Sequence, residues 1–468
     1  MTRRDGTTPD DGLSAAASTA PGGLPPAEVP AEAAAGGGGR SPLIALGTGT
    51  VLLGGCNYLY LALVGNIVGG VASAPVSVLW TMMAGIAVGL FQPVEQMLSR
   101  GIARARDTGA STRTIVVRTL ALAGVVLAAA LVLLLVFADP IGRLLFSGQT
   151  EFVHLFGVGL VASTALFAAR GWLAGTGRFG RYGLEMSLEG VLKVLGVLAL
   201  AAGGATDPRL LGSALVMAPI VAAAVALAGV RRAAPASQEP AAPPTPRSAD
   251  LAAYAALTTG SLLLQLFVNV GVILAQVAVS GEATAYTASL VAALAVARVP
   301  LFLFNAVQSL MLTRFTVDVQ RGRFAALVRS LAGWNVAVLG LGVVWVVLVW
   351  LTGALVVSWF GEDYEIATGD LVLLAVSCVL QIVTMVVTQA LLALHRERLA
   401  TVVWPVGLVV LLAAYLLSPA DLGTAVAVSM VAGTATTAAA ATVLAAWSVR
   451  RASAATSASV GGGARLEA

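Results

Sequence analysis

Lys193 is the only lysine among 468 residues, and it stands inside an apolar run behind Glu185 and Glu189. The spacing of four puts all three side chains on one face of a helix. Arg298 stands in another apolar run. Lys193 lies 12 residues after Arg181 and 14 before Asp207, and Arg298 lies 16 after Glu282 and 16 before Arg314, so both are near mid-run. Arg170, Arg118 and Glu95 sit nearer the ends of their runs. If such runs cross a bilayer, an ionisable group at the centre costs at least ~2.5 kcal/mol unless it meets a cavity or a partner. Two chemistries are then open. Lys193, Arg298 and Arg170 can line a cationic cavity for an anionic group, with Glu185 and Glu189 tuning Lys193 or taking part in ion coupling. Alternatively the charges satisfy one another, Glu189 with Lys193 and Arg298 with helix carbonyls. For Arg118 and Glu95 the position near a helix end is explanation enough, since an arginine can snorkel and a carboxylate can reach water.

Pro300, two residues after Arg298, removes a backbone donor and predicts a kink beside the cation. Asn57, Asn269, Gln265, Gln276, Asn305 and Gln308 add uncharged polarity, which helix–helix hydrogen bonding explains as well as a site does. Cys56 and Cys378 lie in apolar runs without paired spacing, so neither a disulfide framework nor a thiolate metal site is expected. The two histidines, His154 and His395, are isolated. No pattern calls for a cofactor, a metal or an enzymatic reaction.

The elements that must position these charges follow from composition. Apolar residues make up 58% and charged residues 11%, against about 45–50% and about 25% in soluble domains. A soluble enzyme cannot hide that much apolar surface, and disorder needs the opposite balance. Runs long enough for a span of about 20 residues begin near Leu43, Val76, Thr114, Phe152, Leu184 and Leu210. Six more begin near Leu251, Ala283, Leu331, Leu371, Leu399 and Leu422. The expected fold is an all-α polytopic membrane protein with about twelve transmembrane helices, arranged as two parallel six-helix repeats around a central cavity. The expected boundaries are a disordered cytoplasmic tail over 1–41, a bundle over 42–230, a cytoplasmic linker over 231–250, a second bundle over 251–449 and a tail over 450–468. The first tail has no apolar core of signal-peptide length.

Most of the 27 basic residues fall in one alternating set of loops, among them Arg100, Arg104, Arg106, Arg178, Arg181, Arg321, Arg323, Arg396 and Arg398. The other set holds Asp139, Glu151, Asp207, Glu362, Asp363 and Glu365. Basic loops stay cytoplasmic, so both termini are expected inside. The same rule accounts for the net charge of +4 without a nucleic-acid partner.

An even number of spans per block predicts a parallel duplication. Leu46–Leu53 matches Leu257–Leu264 at five of eight positions, 211 residues apart. Phe91–Leu98 lies against Phe304–Met311 at 213, and Leu173-Ala174 against Leu392-Ala393 at 219. Such repeats are common in transporters that bind substrate near the midplane between the halves.

Three stretches carry a family likeness: Arg170-Gly-Trp-Leu-Ala-Gly-Thr-Gly-Arg-Phe179 with Tyr182 leading to Glu189, Arg298-Val-Pro-Leu301 through Gln308, and Gln389-Ala-Leu-Leu-Ala-Leu-His-Arg396. Across about residues 42–448 the chain resembles the multidrug/oligosaccharidyl-lipid/polysaccharide exporter superfamily. Within it, the chain looks like the polysaccharide-biosynthesis flippases. The resemblance implies two six-helix bundles rocking about a cavity in the cytoplasmic (plasma) membrane. It implies an anionic, lipid-linked glycan as substrate, with Lys193 and Arg298 attracting the pyrophosphate of a polyprenyl carrier. Glycosyltransferases or a polymerase of the same pathway are the implied partners. A drug or cation antiporter of the superfamily would favour acidic cavity residues such as Glu185 and Glu189. A non-transporting scaffold would leave the charges fully paired. A major-facilitator carrier is disfavoured, because Ser99-Arg-Gly-Ile-Ala-Arg104 lacks that family's loop pattern. A membrane glycosyltransferase is disfavoured by the short outer loops.

Overall fold

The computed structural model of the chain describes residues 40–107, 111–228, 247–279 and 284–463, and every regular element in them is helical. In the first half, α1 (Arg40–Val68) leads into α2 (Gly70–Met82), which passes through a π-helical turn at Met83–Ala87 into α3 (Val88–Asp107). Then come α4 (Thr112–Val136), the short α5 (Ala138–Leu145), α6 (Thr150–Gly175), α7 (Phe179–Ala202) and α8 (Pro208–Ala228). In the second half, α9 (Arg247–Ala278) precedes α10 (Ala285–Ala297) and α11 (Val299–Gln320), which together make one broken span. They are followed by α12 (Phe324–Ser358), α13 (Thr368–Ala393), α14 (Glu397–Leu417) and α15 (Leu422–Gly463).

Ten helical stretches among the described residues are long and apolar enough to cross a membrane. The two remaining spans of the twelve fall short for a chemical reason. α7 carries Glu185, Glu189 and Lys193, and α10–α11 is divided at Arg298. Each half therefore contributes six spans.

Where a disordered tail was expected from 450, α15 continues as helix through Gly463. Its alanines, including Ala452, Ala454 and Ala455, are the strongest helix formers and carry the last turns onward. At the other expected boundaries, α1 starts at Arg40 and α9 at Arg247. Residues 1–39 and 229–246, which hold most of the expected first tail and linker, lie outside the described residues.

The second span of each half runs through the interior and is interrupted there. α2 and α10 are buried over most of their lengths and pack against each other across the junction of the halves. The third spans, α4 and α12, lie outermost, exposing residues such as Val125, Leu135, Leu341 and Leu351. Such apolar surface suits a helix that borders hydrocarbon.

The halves also meet at the end that carries the acidic loop Glu362–Glu365. Ser73 Oγ and Tyr364 OH lie 2.7 Å apart, and Asn66 Nδ2 donates to the Trp359 carbonyl at 2.8 Å. Burial pushes the Tyr364 hydroxyl up in pKa, which keeps it neutral and able to donate. Elsewhere along the junction, Ser261 Oγ donates to Gln92 Oε1 at 3.1 Å and Tyr254 OH to the Leu90 carbonyl at 3.2 Å, joining α9 to α3.

Within the first half, α1 lies closest to α7, along a seam of small residues. A Cβ on Gly183 would collide with the Ala45 carbonyl, and one on Gly190 would lie 2.9 Å from Cys56 Cβ. Glycine lets two helix backbones approach in this way. Gly190→Val is therefore expected to force α1 and α7 apart, at an overpacking cost of about 1–3 kcal/mol. Gly47→Val, whose added Cβ meets nothing within 4 Å, is the matched control. Thermal unfolding in detergent should show a lower midpoint for the first variant and little change for the second.

Candidate functional site

The four polar residues of one α7 face, Tyr182, Glu185, Glu189 and Lys193, meet partners from three other helices. α6 supplies Arg170, whose Nε donates to Glu185 Oε2 at 2.8 Å and whose Nη2 donates to Glu189 Oε2 at 2.6 Å. Lys193 Nζ donates to Glu189 Oε1 at 2.5 Å and to Asn57 Oδ1 of α1 at 3.0 Å. Tyr182 OH donates to Glu95 Oε1 of α3 at 2.5 Å. The Arg170 guanidinium also lies over the rings of Phe167 and Tyr182, 5.7 and 5.9 Å from their centroids, a cation–π arrangement. Glu185 is fully buried, and Arg170, Glu189 and Lys193 are each at most 7% exposed.

Local sequence explains the assembly. Intervals of three and four along α7 keep the polar groups on one stripe, and the Gly183–Gly190 seam lets α1 bring Asn57 within reach of Lys193. Two cations face two carboxylates in the ion-paired core, and Glu95 stands beside them as a third carboxylate. Burying charge this way is tolerable only when each group has its partners.

Arg298 is handled differently. It caps α11 between two helix segments, with its N–H on the Leu294 carbonyl at 3.1 Å and its own carbonyl taking the Leu301 N–H at 3.0 Å. Pro300, in the first turn of α11, sits where a missing N–H is harmless. Arg298 is 8% exposed, and its guanidinium donates through Nη2 to the Val268 carbonyl of α9. Among the described residues no carboxylate forms an ion pair with it. Tyr58 of α1 and Cys378 of α13 are close enough to interact with it electrostatically. One turn beyond Cys378, Gln381 is 4% exposed, and its Nε2 is buried with no hydrogen-bond partner among the described residues.

The structure thus joins Arg170, Glu185, Glu189 and Lys193 in one network and places Arg298 in the other half. No described ion pair or hydrogen bond links Lys193 to Arg298. The expectation for Glu95 needs correction, because α3 runs on to Asp107 and leaves Glu95 twelve residues inside its end, 8% exposed. Arg118 is partly buried in the second turn of α4. Asn269 Nδ2 and Gln276 Oε1 take local partners, the Gln265 carbonyl and Thr287, and the Asn305 side chain lies outside the described residues. Sequence reasoning gave no site role to Asn57, Phe167 or Gln381. The i, i+3, i+7, i+11 stripe through Tyr182 was the one signal able to extend the α7 set. Among the described residues no three His, Cys, Asp or Glu side chains gather as a metal site.

No protein-family model matches the sequence, and no curated protein matches it. Solved structures do. A MATE protein crystallised in complex with MaL6 superposes with a TM-score of 0.64 at 16% identity, over 88% of this chain and 96% of that one. The chain has the MATE transporter fold. The outward-facing form of a multidrug resistance MATE family transporter of the MOP superfamily gives 0.63 at 17% identity, over 89% of this chain and 96% of that one. An inward-facing form of such a transporter gives 0.61 at 16%, over 88% and 94%. The MATE fold accounts for the two six-span halves.

Breaking the network by one partner should be costly. Lys193→Met and Glu189→Gln are each expected to lower unfolding stability in detergent by about 3–5 kcal/mol, the cost of an orphaned buried charge. The double variant should recover part of the loss, giving a coupling of about 0.5–3 kcal/mol. Strict additivity would show that the pair contributes nothing.

Proposed function

We propose that the protein is an alternating-access exporter that translocates a polyprenyl-pyrophosphate-linked oligosaccharide, a precursor of cell-surface polysaccharide, across the cytoplasmic membrane. The observation that carries this reading is Arg298, a membrane-buried cation whose described partner is only a backbone carbonyl. A guanidinium suits phosphate oxygens, because it offers several N–H donors in a fixed plane. Gln381 Nε2, without a hydrogen-bond partner among the described residues and one turn from the Cys378 that lies beside Arg298, adds a donor of the right kind. Lys193 and Arg170 were candidates for the same task, but Glu185 and Glu189 already match their charge. In this reading they hold the first half together and respond to proton movement instead of holding the anion. The lipid tail stays in the bilayer while the head group crosses between the halves.

A specific observation also favours the drug or cation antiporter. Glu95 gives the first-half cluster three carboxylates against two cations, an arrangement that attracts positive charge. The two readings separate in proteoliposomes. A fluorescent short-chain polyprenyl-pyrophosphate oligosaccharide should be flipped, with Arg298→Ala slowing the flip about tenfold to a hundredfold, as expected when a charged hydrogen bond worth ~1.5–3 kcal/mol is lost. If Arg298→Ala at normal expression flips the lipid undiminished, the anion site fails. Proton-driven ethidium efflux that Glu95→Gln abolishes would establish the antiporter. Neither activity would leave a scaffold.

A further inference from the structure

An apolar groove lies between α1 and the α10–α12 region, with a volume of about 310 Å³, at the small end of the ~300–1,000 Å³ typical of ligand sites. Leu59 and Ala62 of α1, Val299 of α11 and Val349 and Val356 of α12 form much of its wall. It runs from mid-depth, beside the α10–α11 break, toward Trp359 and Phe360 at the acidic end. Leu59 and Leu348 on its rim are about half exposed, so the groove opens sideways to hydrocarbon.

Two polar groups of the wall are already engaged. Trp345 Nε1 donates to the Ala297 carbonyl at 3.2 Å, and Thr352 Oγ1 to the Leu348 carbonyl at 2.9 Å. Water needs two to four polar partners to settle and finds few in walls that are mostly Leu, Val and Ala, whereas a hydrocarbon chain needs none. The Trp345 bond also ties the groove wall to the residue before Arg298. Tyr58 lines the groove and lies close enough to Arg298 to interact with it electrostatically. The wall residues Val296 and Val299 flank Arg298 in the chain, so an apolar groove runs beside a buried cation that lacks a carboxylate partner among the described residues, which complements a molecule with one hydrocarbon tail region and one anionic head.

We propose that this groove holds the hydrocarbon tail of the phosphate-bearing lipid whose head group Arg298 attracts, with Tyr58 at the junction between tail and head. The inference rests on the flippase reading and adds to it a tail site on the flank of the second half.

The test uses full-length protein in phosphatidylcholine vesicles containing a minor fraction of lysophosphatidic acid with a diazirine at the chain end. After photolysis, adducts should map to 58–62 and 348–356. They should fall about tenfold, equivalent to ~1.4 kcal/mol, in Arg298→Gln and in Thr352→Trp, which narrows the groove. Adducts on the lipid-facing α4 residues Val125 and Leu135 should not change. A monoacylglycerol probe with the same chain but no phosphate should label the groove about tenfold less. Equal labelling by the neutral probe, or indifference to Arg298→Gln, would mean bulk lipid only and would overturn the proposal. Should Thr352→Trp fail to fold, unlabelled lysophosphatidic acid must compete for the groove in the wild-type protein, and a lack of competition overturns the proposal equally. Groove labelling that persists while the flipping assay is negative counts against the transport reading alone. Flipping that persists without groove labelling counts against the tail site alone.

Discussion

A bilayer offers no water to a charged side chain at mid-depth, so every such group must find its counter-charge or its hydrogen bonds within the protein. Much of the interior of the first half follows from that constraint. Arg170, Glu185, Glu189 and Lys193 can be buried because two glutamates and two cations share close hydrogen bonds. Those bonds require α6 and α7 to face each other at one register. The Lys193–Asn57 contact further requires α1 to lie almost backbone-to-backbone against α7, which the glycine seam allows. Packing and electrostatics therefore fix each other: loosening the seam exposes the charges, and removing a charge leaves its partner stranded.

The second half meets the same constraint by a different route. Its buried cation, Arg298, is placed where the span divides, so backbone carbonyls become available to it and to Trp345. The corresponding span of the first half is also interrupted, at the π-helical turn Met83–Ala87, but without a charge at the break. Duplicated architecture thus carries unequal chemistry. The first half holds a closed ionic network with a carboxylate, Glu95, at its edge. The second holds a buried cation, Arg298, beside Tyr58 of α1 and Cys378 of α13.

The spans were legible in the sequence because hydrocarbon thickness sets their length, and the alternation of basic and acidic loops marks their ends. The four-residue spacing also placed Glu185, Glu189 and Lys193 on one face correctly. What periodicity cannot show is which face of another helix lies opposite. Arg170 and Asn57 therefore emerged as partners only from the packing of α6 and α1. Glu95 was misplaced for a related reason: the basic stretch from Arg100 to Arg106 looked like a loop, whereas α3 continues through it and carries Glu95 inward. The helix through Gly463 was hidden behind small polar residues, whose composition alone does not distinguish a loop from an alanine-rich turn. The groove beside Arg298 draws its wall from α1 and from α10, α11 and α12 of the other half, so no local pattern announces it.

The proposed anion site requires Arg298 to be the cation a ligand can reach and Lys193 to be enclosed by its ion-pair partners. That difference can be read directly in vesicles by placing a thiol at each position in a background with Cys56→Ala and Cys378→Ala, and timing its reaction with a negatively charged thiosulfonate. The Arg298→Cys variant is expected to react readily and the Lys193→Cys variant far more slowly. Fast reaction at position 193 with silence at position 298 would contradict the proposed anion site and return it to the first half.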